Sequence, residues 1–145
     1  MKPIRRVVFD TSTLVSAVLR SPSLPGKAFN LALQNCVICI SDSTLEELRI
    51  VLARDKFDRY MGKTERLQFV SILGRNAEIF SVGAADLNAV RPSCRDQSDS
   101  KFLALATVSG ADVIVSSDDD LLVLHPWNGI PIVAPADFLS QWEWR

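Results

Sequence analysis

Four carboxylates, Asp10, Glu47, Asp99 and Asp118, stand far apart in the chain, each where a strand-like run gives way to a helix or where a helix begins. Asp10 closes Val7-Val8-Phe9-Asp10, and Asp118 follows Val113-Ile114-Val115-Ser116-Ser117 in the same relation to a later run. Glu47 lies in the first turns of a helical segment beyond Ile40-Ser41, and Asp99 stands at the entry to Lys101-Phe102-Leu103. In open parallel sheets the working crevice lies beyond the carboxyl ends of the strands, so the four acids could meet at one rim. Taken singly, each reads as an ordinary helix cap or as an acid complementing a helix dipole. Asp96 would cap the helix that Asp99 opens. Ser43 to Glu46 fits a capping box, and so does Thr44 to Glu47, so capping does not choose between the two glutamates. What capping leaves unexplained is the gathering itself. Two carboxylates about 5 Å apart repel by roughly 3 kcal/mol at an effective dielectric near 20, so a cluster needs a positive charge among them. With oxygen donors only, a hard dication such as Mg2+ or Mn2+ is favoured over zinc. Such an ion suits phosphoryl chemistry, in which it activates water and takes charge from the leaving oxygen.

The elements that must position these acids are short and alternate in type. Strands are expected over Ile4 to Phe9, Val37 to Ile40, Ile79 to Val82, Val113 to Val115 and Ile130 to Val133. Helices are expected over Leu14 to Leu19, Lys27 to Leu33, Leu45 to Leu52, Glu65 to Leu73 and Lys101 to Val108, the last stopped by Gly110. The Ser- and Pro-rich stretch from Ser21 to Gly26 reads as a loop. Strands that are apolar nearly throughout are covered on both faces, so the fold class is α/β: a three-layer α/β/α sandwich with a mainly parallel central sheet. With 145 residues, one domain spanning 1–145 is expected.

The chain is 48% hydrophobic and 23% charged, which excludes disorder and coiled coil. No apolar run has membrane length, and the N-terminus carries no signal-peptide core, so the expected location is cytoplasmic, away from membranes. Sixteen Lys and Arg against 17 Asp and Glu give a net charge of −1, so nucleic acid could be held only by a local patch. One candidate patch is Arg49, Arg54, Lys56, Arg59, Lys63 and Arg66. A solvated helix face, diluted by Asp55, Asp58 and Glu65, is an equal reading. Cys36, Cys39 and Cys94 form no disulfide framework, and Cys36-Val37-Ile38-Cys39 lies in a strand-like run where two small core residues are expected. His125 is expected to be a loop residue, since one histidine without cysteine neighbours makes no zinc site.

Four segments taken together resemble the PIN domain family: Val8 to Ala17, Ser41 to Leu52, Cys94 to Ala106 and Val115 to Leu122. The closest likeness is to the VapC-like toxins of bacterial toxin–antitoxin systems, and it spans almost the whole chain. The resemblance implies a metal-dependent endoribonuclease that hydrolyses RNA phosphodiester bonds, the toxin of a type II pair. It also implies an antitoxin partner and a homodimer. It sets Asp10, Glu47, Asp99 and Asp118 at the four acidic positions, with Asp120 as a fifth. Asp10, Asp99, Asp118 and Asp120 would hold Mg2+ or Mn2+, while Glu47 orients or deprotonates the attacking water. Glu47 is preferred to Glu46 because the family's glutamate directly precedes a leucine, here Leu48. Ser12 stands where the family has Asn, Ser116 where it has Thr or Ser, Gln97 replaces a common proline, and Ser100 an Asp or Asn. Ser12, Ser116, Arg95 and Lys101 are expected to position substrate, although the two cations could instead pair with neighbouring acids.

Rival chemistries fit less well. A phosphatase with Asp10 as covalent nucleophile needs a second acid two residues on, where the chain has Ser12. A phospho-receiver module wants a lysine after the last strand, and Ile132-Val133-Ala134-Pro135 has none nearby. A PIN-fold protein that binds RNA or a partner without cutting stays open, as does a metal-dependent phosphohydrolase of another type. Among the aromatics, Phe69, Phe80 and Phe138 are expected mainly in the core, whereas Trp142 and Trp144, close to the end of the chain, could seek a partner.

Overall fold

A computed structural model describes residues 5–20 and 22–141. Five parallel strands form the centre: β1 (Arg6–Phe9), β2 (Val37–Ser41), β3 (Glu78–Phe80), β4 (Val113–Val115) and β5 (Ile132–Val133). Their order across the sheet is β3-β2-β1-β4-β5. Helices α1 (Thr11–Leu19), α2 (Leu24–Asn35), α3 (Asp42–Leu52) and α4 (Lys63–Asn76) come before β3 in the chain. The later helices are α5 (Ala84–Asn88), α6 (Ser100–Ser109), α7 (Asp119–Leu122) and α8 (Pro135–Gln141). The expected three-layer architecture is what forms. Among the described residues no helix is long and apolar enough to cross a membrane.

The strand pleat divides the core in two. Val7 and Phe9 join Ile38, Ile40, Val113 and Val115 against α1, α2, α3, α4 and α8. Val8 points the other way and joins Cys39, Ile114 and Ile132 against α6 and α7. Alternate residues of one strand thus feed opposite layers, which is why the strands carry hardly any polar residue. Phe9 is gripped edge-on by Phe29 and Phe138, with ring centroids 5.9 and 6.3 Å away.

Several sequence expectations need correction. The Ser21–Gly26 loop is shorter than expected: α2 already begins at Leu24, because Ser23 caps it by accepting from the Gly26 N–H and Pro25 sits in the first turn, where it forfeits no helical hydrogen bond. Ser21 lies outside the described residues. The expected strand Ile130–Val133 shrinks to Ile132–Val133, since Ile130 pairs with Trp127 in an antiparallel bridge. The strand expected over Ile79–Val82 is shifted to Glu78–Phe80, and Ile4 lies outside the described residues. His125 does more than fill a loop: its Nδ1 accepts the Ile132 N–H at 2.9 Å and ties the loop to β5. None of the three cysteines is in a disulfide, and burial pushes the Cys36 thiol up to about 11 and raises the other two, so none is a poised thiolate. Phe138 is fully buried, while Phe69 and Phe80 pack against the two core layers. Trp142 and Trp144 fall outside the described residues.

Candidate metal and nuclease site

The sheet order reverses at β1. From β1 the chain winds outward through β2 to β3, then returns to lay β4 and β5 on the other side. Neighbouring loops diverge at such a switch point and leave a crevice beyond the strand ends. Asp10 leaves β1 and Asp118 leaves the adjacent β4, so topology alone brings residues 108 positions apart to one rim. A cleft of about 390 Å³ opens there, and Asp10, Ser12, Glu47, Asp99 and Asp118 all line it. The capping reading holds as well. Asp10 accepts the Thr13 N–H at 2.9 Å and caps α1, while Asp118 accepts the Asp120 N–H at 2.9 Å and caps α7. One carboxylate oxygen serves the helix in each case, and the acid still faces the cleft.

Ser116 locks the two strands' acids together. Its Oγ accepts the Asp118 N–H at 2.9 Å and donates to Asp10 Oδ2 at 2.5 Å. An ionised carboxylate can only accept, so against it the hydroxyl proton points at Asp10. Ser12 Oγ is 3.5 Å from Asp10 Oδ1, at the limit of a hydrogen bond. Asp10 is almost wholly buried. Burial raises its carboxyl above the ordinary range, against hydrogen bonds from Ser116 and Thr13 that pull it down, and the Asp118 charge raises it further.

The glutamates separate cleanly. Glu46 pairs with Arg49 on an exposed face, whereas Glu47 lines the cleft and receives an ion pair from Lys101. Neither makes a capping box. That motif belongs to Ser41 and Thr44, whose hydroxyls each take the other's backbone N–H, at 3.0 Å in both directions, because a threonine at the third helical position can reach back as a glutamate does. Asp120 does not line the cleft. It pairs with Arg95, whose Nε lies 2.8 Å from Asp120 Oδ1. Arg95 and Lys101 therefore both pair with neighbouring acids.

Asp99 links the cleft to a second group of acids. Asp96, Asp99 and Asp120 each bring a carboxylate oxygen within 4.8 Å of the others. Asp96 also caps the 3-10 turn Gln97–Asp99 through the Ser98 N–H at 3.0 Å. Its part in this group escaped the sequence reading, because the path of the 89–99 connection carries no periodic signal. Asp99 Oδ2 is buried and has no hydrogen-bond partner. A buried carboxylate oxygen without a donor is costly, and an oxygen-only set of acids around it fits a hard dication. Burial first, then the Asp118 carboxylate and after it Asp96 and Asp10, push the Asp99 carboxyl up to about 7 from an ordinary 3.8.

This shift predicts a pH dependence of the metal-free fold. Between the unfolded value of 3.8 and about 7, the folded chain holds a proton that the unfolded chain has released. The stabilisation from that proton is complete below the unfolded value and is lost as pH rises through the folded one. With a chelator present, the melting temperature of the parent relative to Asp99→Asn should therefore fall between about pH 4 and pH 7, the variant having no such titration. Parallel pH curves for the two proteins would contradict this account of Asp99.

Comparison with known proteins places this arrangement. The chain is 25% identical over 147 residues to the uncharacterized protein MJ1680 of Methanocaldococcus jannaschii, covering 95% of this chain and 92% of that one. In structure it is similar to VapBC2 from Rickettsia felis, solved bound to a DNA fragment from their promoter, with a TM-score of 0.63 and 17% identity over 89% of this chain and 98% of that one. It is also similar to Mycobacterium tuberculosis VapC20, a Sarcin-Ricin loop cleaving toxin, with a TM-score of 0.56 and 18% identity over 79% of this chain and 91% of that one. At such identities these likenesses concern the fold. The family model of the PIN domain matches residues 6–120, through every strand but the last and all the acids of the cleft, and the chain belongs to the PIN domain family.

Proposed function

We propose that the protein is a metal-dependent endoribonuclease that hydrolyses RNA phosphodiester bonds and serves as the toxin of a toxin–antitoxin pair. The observation that carries this reading is the meeting of Asp10, Glu47, Asp99 and Asp118 in one cleft at the switch point of the sheet. Membership of the PIN family and the likeness to VapC20 support it. Asp10, Asp99 and Asp118, with Asp120 at the edge, are the residues that would hold Mg2+ or Mn2+. When bound, the dication supplies Lewis acidity and stabilises charge developing on the phosphate oxygens. Glu47 orients the attacking water or takes its proton, and Ser116 holds Asp10 in the rotamer that faces the cleft. Ser12, Arg95 and Lys101 position substrate, the two cations after exchanging a carboxylate for a phosphate. An antitoxin and a second copy of the chain are the partners that go with this reading.

A single-stranded RNA oligonucleotide incubated with the protein should be cut in Mg2+ or Mn2+ and left whole in excess chelator. Cutting that survives the chelator would overturn the metal dependence. The pairing of Glu47 with Lys101 favours one alternative, a PIN-fold protein that binds RNA or a partner without cutting. Intact RNA with either metal would decide for it.

A further inference from the structure

The six cations between residues 49 and 66 do not form one face. Arg49 is paired with Glu46, Arg59 lies over the Tyr60 ring at 4.8 Å and donates to its hydroxyl, and Arg66 is wholly buried. Only Arg54 and Lys56 line the acidic cleft. Among the described residues neither has a carboxylate within ion-pair distance, whereas Arg95 and Lys101 are already paired with Asp120 and Glu47. Arg54 and Lys56 are therefore the cleft cations whose charge is open to an outside anion.

Their placement depends on a turn that has little core of its own. Arg54, the 3-10 turn Asp55–Phe57 and Asp58 connect α3 to α4, and the residues of this turn are exposed apart from a half-buried Phe57. Arg66 reaches into it from α4. Its Nη1 donates to the Arg54 carbonyl at 3.3 Å and its Nη2 to Asp58 Oδ1 at 2.5 Å, so a single guanidinium grips both ends of the turn. Lys56 is further steadied by the Phe57 ring, 5.1 Å from its ammonium. A fully buried arginine with one charged partner, and with Nε unpartnered, is a poor device for stability, because a hydrophobic residue of like volume usually serves as well or better. What the guanidinium does that a hydrophobe could not is hold the backbone of Arg54.

The geometry points to Arg54 and Lys56 as a subsite for a phosphate of single-stranded RNA flanking the one that is cut, with Arg66 as the positioning residue that aims them. This rests on the nuclease reading and extends it to how the substrate is held. Charge supports it. With Glu47 offset by Lys101, a dication leaves one negative charge among Asp10, Asp99 and Asp118, and a polyanion would still be repelled. Arg54 and Lys56 reverse that sign where the strand must lie. Contacts of this kind fix a nucleic acid in place without reading its sequence.

The test is a salt series of RNA affinity, measured by fluorescence anisotropy with a single-stranded oligonucleotide and Mn2+, on the full chain carrying Asp10→Asn so that nothing is cut. Adding Arg54→Ala and Lys56→Ala, both at exposed sites, should weaken binding about tenfold or more at low salt. The slope of log affinity against log salt should become shallower by about 0.7, the value for one phosphate contact on a single strand. Arg66→Lys keeps the buried charge but not the fork; it should weaken binding severalfold alone and cost nothing further in the Arg54→Ala/Lys56→Ala background. Asp58→Asn, at an exposed partner, should act in the same direction if Arg66→Lys fails to fold. Unchanged affinity and slope in the double variant would overturn the subsite, and losses that simply add would overturn the positioning role of Arg66. Cleavage by the protein with Asp10 intact separates the two readings. Equal kcat/KM for it and for Arg54→Ala/Lys56→Ala removes the subsite and leaves the nuclease standing, while a protein that neither binds nor cuts RNA removes both.

Discussion

Asp10→Asn is expected to abolish RNA hydrolysis, lowering kcat/KM by about 10³-fold, the scale on which loss of one charge-stabilising group acts in a preorganised site. The same substitution should leave the fold intact. Asparagine keeps the volume, and its carbonyl oxygen can still accept the Thr13 N–H that caps α1. The amide nitrogen would take the place of Oδ2, and the Ser116 hydroxyl can turn to accept from it while still accepting the Asp118 N–H. Because burial and Asp118 already disfavour the ionised carboxylate, removing its charge should hold or raise the melting temperature without metal. The added stability conferred by Mn2+ should shrink in step with the activity. A variant that melts like the parent yet retains activity within about tenfold would remove Asp10 from the site.

Phe138→Ala carries the largest expected cost in stability, about 3–5 kcal/mol. The side chain is fully buried in α8, and its ring stands edge-on to Phe9 with an interplanar angle of 71°. Phe9 is the last residue of β1 and the one before Asp10, so the cavity would open directly behind the cleft. Against a total stability of about 5–15 kcal/mol, such a loss is a large fraction, readable as a lower midpoint in urea with an unchanged slope. A loss under about 1 kcal/mol would mean that α8 does not dock on β1 through this ring.

The layers and the rim were legible in the sequence because both rest on short-range patterns. Val7-Val8-Phe9 and Val113-Ile114-Val115 announce buried parallel strands, and an acid directly after such a run must stand at its carboxyl end. The helices that went unread, α5, α7 and α8, span 5, 4 and 7 residues, too few to display a period of 3.6. In α4 the buried stripe runs through Arg66, Val70 and Leu73, while Leu67, expected on that stripe, is half-buried. Positions 66, 70 and 73 are properly spaced for one helix face, but a charge at the first of them hid the pattern. The split of the basic stretch depends on which cations find partners: Arg49 and Arg59 take up the nearby Glu46 and Tyr60, whereas Arg66 is withdrawn by the fold to Arg54 and Asp58, which composition does not show. Glu47 was separable from Glu46 only by family likeness, since both fitted a capping pattern that the fold gives to Ser41 and Thr44.

The two sides of the cleft are anchored very differently. β1 and β4 each have a strand on both flanks, so Asp10 and Ser116 adjoin backbone that can open only with the sheet itself, at a free energy near that of global unfolding. The turn holding Arg54 and Lys56 is tied to the fold by the Arg66 guanidinium and otherwise by hydrogen bonds between near neighbours, so its opening is of the low-energy, local kind. The acids thus keep their arrangement over the lifetime of the folded state, while the turn beside them can loosen and re-form many times within it.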